Sequence, residues 1–155
     1  LHVRSRRQRQ MCIRDRLYPH TSNTDAYMSV PIPIDENGLR PTKYRVTLHT
    51  VPGPASGIFT SGTGYTFLLS APSTNSTISN GIQIDSAFGG PVAQTVTGLT
   101  SAAVHDLRTV TWPIVTLTGN THGVLNFKLT RNTSSALDNW AHKIGVLNLT
   151  VSWYR

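Results

Sequence analysis

Apolar residues alternate with polar ones over most of residues 17–155, and a period of two places every second side chain on one face of a β-strand. The segment IGVLNLTVSWY shows the pattern most clearly, with one face formed by Leu147, Leu149, Val151 and Trp153. The spacing of three and four residues that is typical of helices is nearly absent. The alternation therefore predicts an all-β protein whose antiparallel strands are buried on one side.

Turn residues divide this pattern into about eight strands. Proline, glycine, asparagine and aspartate lie between the apolar segments, and such residues favour tight turns. The segments are 26–34, 43–50, 65–71, 78–84, 87–99, 109–119, 124–131 and 144–154, with at most one helical turn between Asn132 and His142. Pro31 and Pro33 cannot donate to a strand ladder, so we expect the first segment at a sheet edge. The predicted fold is an antiparallel β-sandwich that is jelly-roll-like.

We expect the core to contain the apolar side chains that share one phase within each strand, because a sandwich buries the inner faces of both sheets. These predicted core residues are Tyr44, Val46, Leu48, Phe67, Leu69, Leu125, Phe127, Leu129, Leu147, Leu149, Val151 and Trp153.

The first sixteen residues differ in character from the rest. They hold six of the fourteen basic residues, one of the seven acids and the only cysteine, Cys12. Their sequence RQRQMCIRDR resembles the translated adapter read-through that recurs at the ends of open reading frames assembled from environmental sequencing. We therefore expect residues 1–16 to be a non-native or disordered basic tail, and residues 17–155 to be a single domain of a metagenomic fragment that lacks its true N-terminus. The competing interpretation is an arginine-rich arm that neutralises genome phosphates.

The body of the chain excludes several classes of protein. Without the tail it has eight basic residues against six acids and no cysteine. Disulfides, thiol nucleophiles and cysteine-based metal sites are therefore excluded, and nucleic-acid binding is expected only if residues 1–16 are native. No apolar run reaches the roughly 18 to 20 residues of a membrane span, so we expect no membrane insertion.

No recognisable catalytic or metal-binding motif occurs in the sequence. The histidines of the body are scattered without the spacing of metal ligands, and His105 beside Asp106 has no G-x-S-x-G elbow to supply a nucleophile. The acids stand mostly beside glycine, asparagine or serine, where aspartate commonly forms turns. We therefore predict no enzyme activity, no cofactor and no metal.

A candidate contact site lies in the polar loop RNTSSALDNWAHK. No periodicity places Trp140 in the core, and Asp138, Asn139 and His142 lie close to it in the sequence. Aromatic side chains in loops provide platforms for sugars and anchors for protein contacts. We predict that these four residues contact a glycan or protein receptor on a cell surface.

From Ala87 onward the motifs follow a distinctive order. AFGG leads into AQTVTGL, and HDLRTV, GVLNFKLTRN, a polar loop and the strand IGVLNLTVSWY follow. This order resembles a domain that recurs at the C-termini of tailed-phage tail-fibre and other virion structural proteins. The segment AYMSVPIP also resembles the opening strand of that domain. That family often carries acids before its leucine-rich strand and in the loop after its arginine. The corresponding regions here are NTHGVL and NTSSALDNWAH, so the resemblance does not imply a loop geometry or cation binding that depends on those acids.

The resemblance implies a phage virion structural domain, in a tail fibre or similar appendage. It further implies a homotrimer located in the virion that contacts other virion proteins and presents loops for host attachment, where avidity strengthens weak contacts. Two alternatives are a jelly-roll viral capsid protein with an arginine-rich arm and a carbohydrate-binding module of a larger secreted protein. The module predicts a row of exposed aromatic side chains across one sheet face.

Overall fold

The computed structural model describes residues 9–11, 16–18, 23–53, 63–70, 92–99, 106–117 and 124–155. These ranges contain ten β-strands and no helix, which confirms the all-β prediction. The strands are β1 (Arg9–Met11), β2 (Arg16–Tyr18), β3 (Asp25–Pro31), β4 (Lys43–Pro52), β5 (Thr63–Ser70), β6 (Val92–Leu99), β7 (Arg108–Thr111), β8 (Val115–Thr116), β9 (Val124–Arg131) and β10 (Ile144–Tyr154).

The strands form two antiparallel sheets that enclose one core. The larger sheet has the order β1-β10-β4-β7, with β2 also paired to β10 and β8 also paired to β4. The smaller sheet has the order β3-β9-β5-β6. Because β1 and β2 share one edge of β10, and β7 and β8 share one edge of β4, the ten strands occupy eight positions. The eight positions are numbered along the chain, so that β1 and β2 form the first, β7 and β8 the sixth, and β10 the eighth. The larger sheet then has the order 1-8-3-6 and the smaller sheet the order 2-7-4-5, which is the order of a jelly roll.

The backbone of β1 and the first residue of β2 belong to the basic segment at residues 1–16. β1 pairs with Leu149–Val151, and β2 pairs with Ile144–Val146. An edge strand offers unpaired N–H and C=O groups to extended backbone, so β10 can accept both segments. The first jelly-roll position thus includes backbone that the predicted domain boundary at residue 17 leaves out. The origin of residues 1–16 stays a prediction from the sequence.

Strand positions agree with the turn and proline signals in most of the described chain. β3, which contains Pro31, lies at an edge of the smaller sheet as predicted. The segment predicted at 109–119 is divided into β7 and β8, because Pro113 lies between them and has no N–H to donate. The strand predicted at 78–84 and the AFGG motif lie outside the described residues.

The core prediction is largely confirmed. Ten of the twelve predicted residues are less than one-tenth exposed, and Trp153 packs against the core while partly buried. Tyr44 of the larger sheet meets Phe127 of the smaller one edge to face, with ring centroids 5.7 Å apart. Between the sheets, the hydroxyl groups of Thr50 and Tyr65 lie 2.6 Å apart in a buried hydrogen bond.

Leu147 is the one predicted core residue that is wrong, because it is 45% exposed. The register of β10 against β4 shifts between Val146 and Asn148, which leaves Leu147 as an extra residue in a β-bulge. The bulge changes the phase of the alternation within the strand. Ile144 and Val146 point into the core before it, and Leu149 and Val151 do so after it.

The bulge predicts opposite results for two leucines that are two positions apart. Leu149→Ala is expected to lower the free energy of unfolding by about 2 to 5 kcal/mol, because it leaves a cavity at a fully buried site. Leu147→Ala should cost less than about 1 kcal/mol, because its side chain is already in water over much of its surface. Urea unfolding of both variants measures the difference. Equal losses would show that the strand continues without the bulge.

Candidate functional site

The loop at residues 132–143 is organised around the buried side chain of Arg131, the last residue of β9. Its Nε donates to Asp138 Oδ2 at 3.0 Å, and its Nη2 donates to Asp138 Oδ1 at 2.7 Å. Nη2 also donates to the carbonyl of Trp140 at 2.5 Å, and Nη1 donates to that of His142 at 2.7 Å. The planar guanidinium therefore holds three points of the loop at once.

Both members of this ion pair are fully withdrawn from solvent. The side-chain exposures of Arg131 and Asp138 are each 0%. Moving two charges out of water is costly, and only close geometry with further hydrogen bonds offsets that cost. Here the carboxylate also accepts from the backbone N–H of Thr66 at 3.1 Å. The pair makes the loop depend on one specific contact in the interior.

The same loop is bound to the start of β5. The backbone N–H groups of Asn139 and Trp140 both donate to the carbonyl of Gly64, and Gly64 N–H donates to Asn139 Oδ1 at 2.7 Å. A Cβ atom at Gly64 would lie 2.3 Å from the carbonyl oxygen of Val96, so the approach of β6 leaves no room for a side chain there. The loop is thus fixed to both β5 and β9.

The structure corrects the premise that Trp140 lies outside the core. Trp140 is 1% exposed and belongs to the buried hydrophobic cluster, and Asp138 is 5% exposed. The indole packs within the hydrophobic core and leaves almost none of its surface exposed to a ligand. Of the four predicted contact residues, Asn139 is exposed and His142 is half-buried, with its ring edge to face with Trp140 at 5.9 Å. Receptor contact by the loop stays a prediction from the sequence.

Asp138 is the acid that fixes this loop. It lies seven residues after Arg131 and accepts two hydrogen bonds from its guanidinium, so the conformation of the loop depends on this carboxylate. Sequence reasoning placed Asp138 beside Trp140 as a contact residue and did not identify Arg131. The signal for Arg131 was its phase, because it follows Leu125, Phe127 and Leu129 on the inward side of β9.

The outer face of the larger sheet forms a polar surface across β7, β4 and β10, which we call the outer polar face. Its polar side chains among the described residues are Lys43, Arg45, Thr47, His49, Thr109, Thr111, Thr116, Asn148, Thr150, Ser152 and Tyr154, as the pairing register and alternation of burial indicate. The exposed Leu147 of the bulge lies beside them on β10. Thr47 lies opposite Thr111 on one side and Thr150 on the other, so three threonines form a row across three strands. His49 Nδ1 and Asn148 Oδ1 form a cross-strand hydrogen bond.

The outer face of the smaller sheet has an internally paired set of charges. Lys128 Nζ lies 2.9 Å from Asp25 Oδ2, and Thr130 Oγ1 donates to Asp25 Oδ1 at 2.5 Å. Burial raises the pKa of Asp25, but the bonds from Thr130 and Lys128 outweigh it and hold this pKa below its usual value. Lys128 also lies over the ring of Tyr27 at 5.7 Å. These contacts satisfy the charges within the sheet.

Tyr65 is a buried ionisable group in the described part of the interior. Burial raises the pKa of Tyr65 to about 12, although its hydrogen bond with Thr50 opposes that change. The phenol is therefore a neutral group that links the two sheets and does not act as a base near neutral pH. Among the described residues, no group of three or more His, Cys, Asp or Glu side chains is placed to hold a metal ion. No helix within those residues could cross a membrane.

The fold and the strand order define this chain as an antiparallel β-sandwich with a jelly-roll arrangement. No family model and no curated protein matches it. Among solved structures it is similar to the CBM22-2 xylan-binding domain of Xyn10C from Paenibacillus barcinonensis, with 7% sequence identity and a TM-score of 0.40. That likeness covers 88% of this chain and 91% of that chain.

Proposed function

We propose that this chain is a structural domain of a phage virion, in a tail fibre or similar appendage, that acts as a homotrimer without catalysis. Within this proposal the jelly roll serves as a rigid body that contacts other virion proteins and presents a surface to the host cell. Fold alone does not define such a function, since jelly rolls occur in capsid and lectin domains alike.

The observation that carries the proposal is the set of hydrogen bonds that the buried side chain of Arg131 makes to the loop after β9. The motifs that resemble the tail-fibre domain include the leucine-rich strand ending in arginine, the polar loop after it and the closing strand. In the structure these elements are β9, residues 132–143 and β10, and Arg131 joins the first to the second through buried bonds. The part of the sequence that resembles the family is therefore the part that fixes one end of the sandwich.

The carbohydrate-binding alternative receives less support from the aromatic residues. It predicts a row of exposed rings across one sheet face, but Trp112 and Trp140 are 2% and 1% exposed. Trp112 donates its indole N–H to the carbonyl of Val92 at 2.8 Å, which joins the edges of the two sheets. Trp153 is partly buried against the core. Within the described ranges the tryptophans thus serve packing.

Light scattering after size exclusion tests the proposal on the full chain. We expect a molar mass three times that of the single chain that does not change between low and high salt, because a fibre domain associates through packed surfaces rather than screened charges. The measurement is repeated over a range of protein concentrations to separate a stable trimer from weak self-association. A monomer at all concentrations would contradict the fibre proposal.

A further inference from the structure

The outer polar face carries positive charge without any acid among its described residues. Lys43 and Arg45 lie two positions apart on β4, so their Cα atoms are separated by about 7 Å on the same face. The facing positions on β7 and β10 hold threonine, serine, asparagine and tyrosine. Asp35, Glu36 and Asp106 lie outside the strands of this face, and Asp35 and Asp106 are each paired with another arginine. The two cations are therefore available to an anionic ligand.

Arg45 is held in place by an aromatic ring. Its Cζ lies 5.9 Å from the centroid of the Tyr154 ring, and among the described residues it has no carboxylate partner. Its Nε is shielded from solvent and has no hydrogen-bond partner in the described part of the chain. A guanidinium stacked on an aromatic ring loses less freedom when a ligand binds, and its planar fork matches a carboxylate with two parallel bonds.

The neighbouring hydroxyl groups narrow the class of ligand. The row of Thr111, Thr47 and Thr150, together with Ser152 beside Arg45, offers donors and acceptors that suit the hydroxyl groups of sugars. A nucleic acid would rely on many phosphate contacts, and the two cations described on this face supply few of them. We propose that the outer polar face binds a carboxylated polysaccharide, with Arg45 and Lys43 contacting its acidic groups and the threonine row contacting its hydroxyls.

This inference rests on the proposed function for the source of the ligand, because a charged glycan on a host surface is a target for a virion appendage. Its site differs from the loop containing Trp140. The molar mass of the chain and its binding of a glycan are separate measurements, so either proposal can fail without the other. A trimer that binds no acidic glycan would leave the virion proposal standing and overturn this one.

Calorimetric titration of the full chain with hexagalacturonate tests the inference, with cellohexaose as the uncharged probe and a short oligothymidylate as the nucleic-acid probe. We expect Arg45→Gln to weaken hexagalacturonate binding about tenfold, as expected for loss of a charged hydrogen bond. Lys43→Gln, at an exposed position, should also weaken it and provides a second variant if Arg45→Gln unfolds.

Lys143→Gln is the matched control, because it also removes one positive charge. Lys143 is bonded to Gly53, just after the end of the ten-residue strand β4, so it lies roughly 30 Å from Lys43 at the start of that strand. It should weaken binding less than about twofold at physiological ionic strength, where distant charges are screened. Four results would each overturn the proposal: no binding of hexagalacturonate, equal binding of cellohexaose, tighter binding of the oligothymidylate, or equal losses in the Arg45 and Lys143 variants.

Discussion

Replacing Asp138 by alanine is expected to lower the free energy of unfolding by about 3 to 5 kcal/mol, because the guanidinium of Arg131 would remain buried without its counterion. Both side chains are 0% exposed, so water cannot replace the lost carboxylate without opening the end of the core. The variant also removes the acceptor of the Thr66 backbone N–H. Urea unfolding followed by tryptophan fluorescence measures the loss.

Two further variants separate the buried pair from charge effects in general. Asp106→Ala breaks the ion pair with Arg108, whose members are 57% and 34% exposed, and should cost at most about 1 kcal/mol. Arg131→Met combined with Asp138→Leu removes both charges and should be more stable than Asp138→Ala, because no unpaired charge stays in the interior. If Asp138→Ala were no more harmful than Asp106→Ala, the pair would not be what fixes the loop.

Phe127→Ala is expected to cost about 3 to 5 kcal/mol, because Phe127 is 0% exposed and its loss leaves a cavity between the sheets. Its ring contacts Tyr44 across the core, so the neighbouring side chain cannot close the space without losing its own packing. Chemical unfolding at constant temperature measures the change.

Tyr27→Ala is the control for this substitution, because Tyr27 lies on the adjacent strand β3 and is 40% exposed on the outer side. It should cost less than about 1 kcal/mol. A loss below about 1 kcal/mol for Phe127→Ala would mean that β9 presents its other face to the core.

The parts of the fold that depend on alternation were predictable from the sequence. Along β4 and β9 the inward residues follow a strict period of two, and Tyr44, Leu48 and Phe127 are buried as predicted. The bulge in β10 was not predictable, because IGVLNLTVSWY has apolar residues in both phases. Val146 and Leu147 compete for one inward position, and only pairing with β4 selects between them.

The candidate site was less accessible to sequence reasoning. Trp140 has no periodic neighbours, so its burial follows from the backbone bond to Gly64 and from the buried ion pair, both of which join residues on different elements. The alternation along β9 placed Arg131 on the inward side, but an arginine at the end of a strand is more often exposed to solvent. The partner Asp138 lies in a loop whose polar composition favoured a surface position.

The pairing of β4 with β10 has a consequence for synthesis on the ribosome. His49 and Asn148, which bond across these strands, are 99 residues apart in the chain. Contacts of such long separation form late, because the intervening chain must be ordered before the contact stabilises anything. The apolar side of β4 therefore emerges long before its central partner exists, and during that interval it is exposed to association with other nascent chains. For this protein, yield in a heterologous host should depend on chaperones that cover β4 until translation reaches β10.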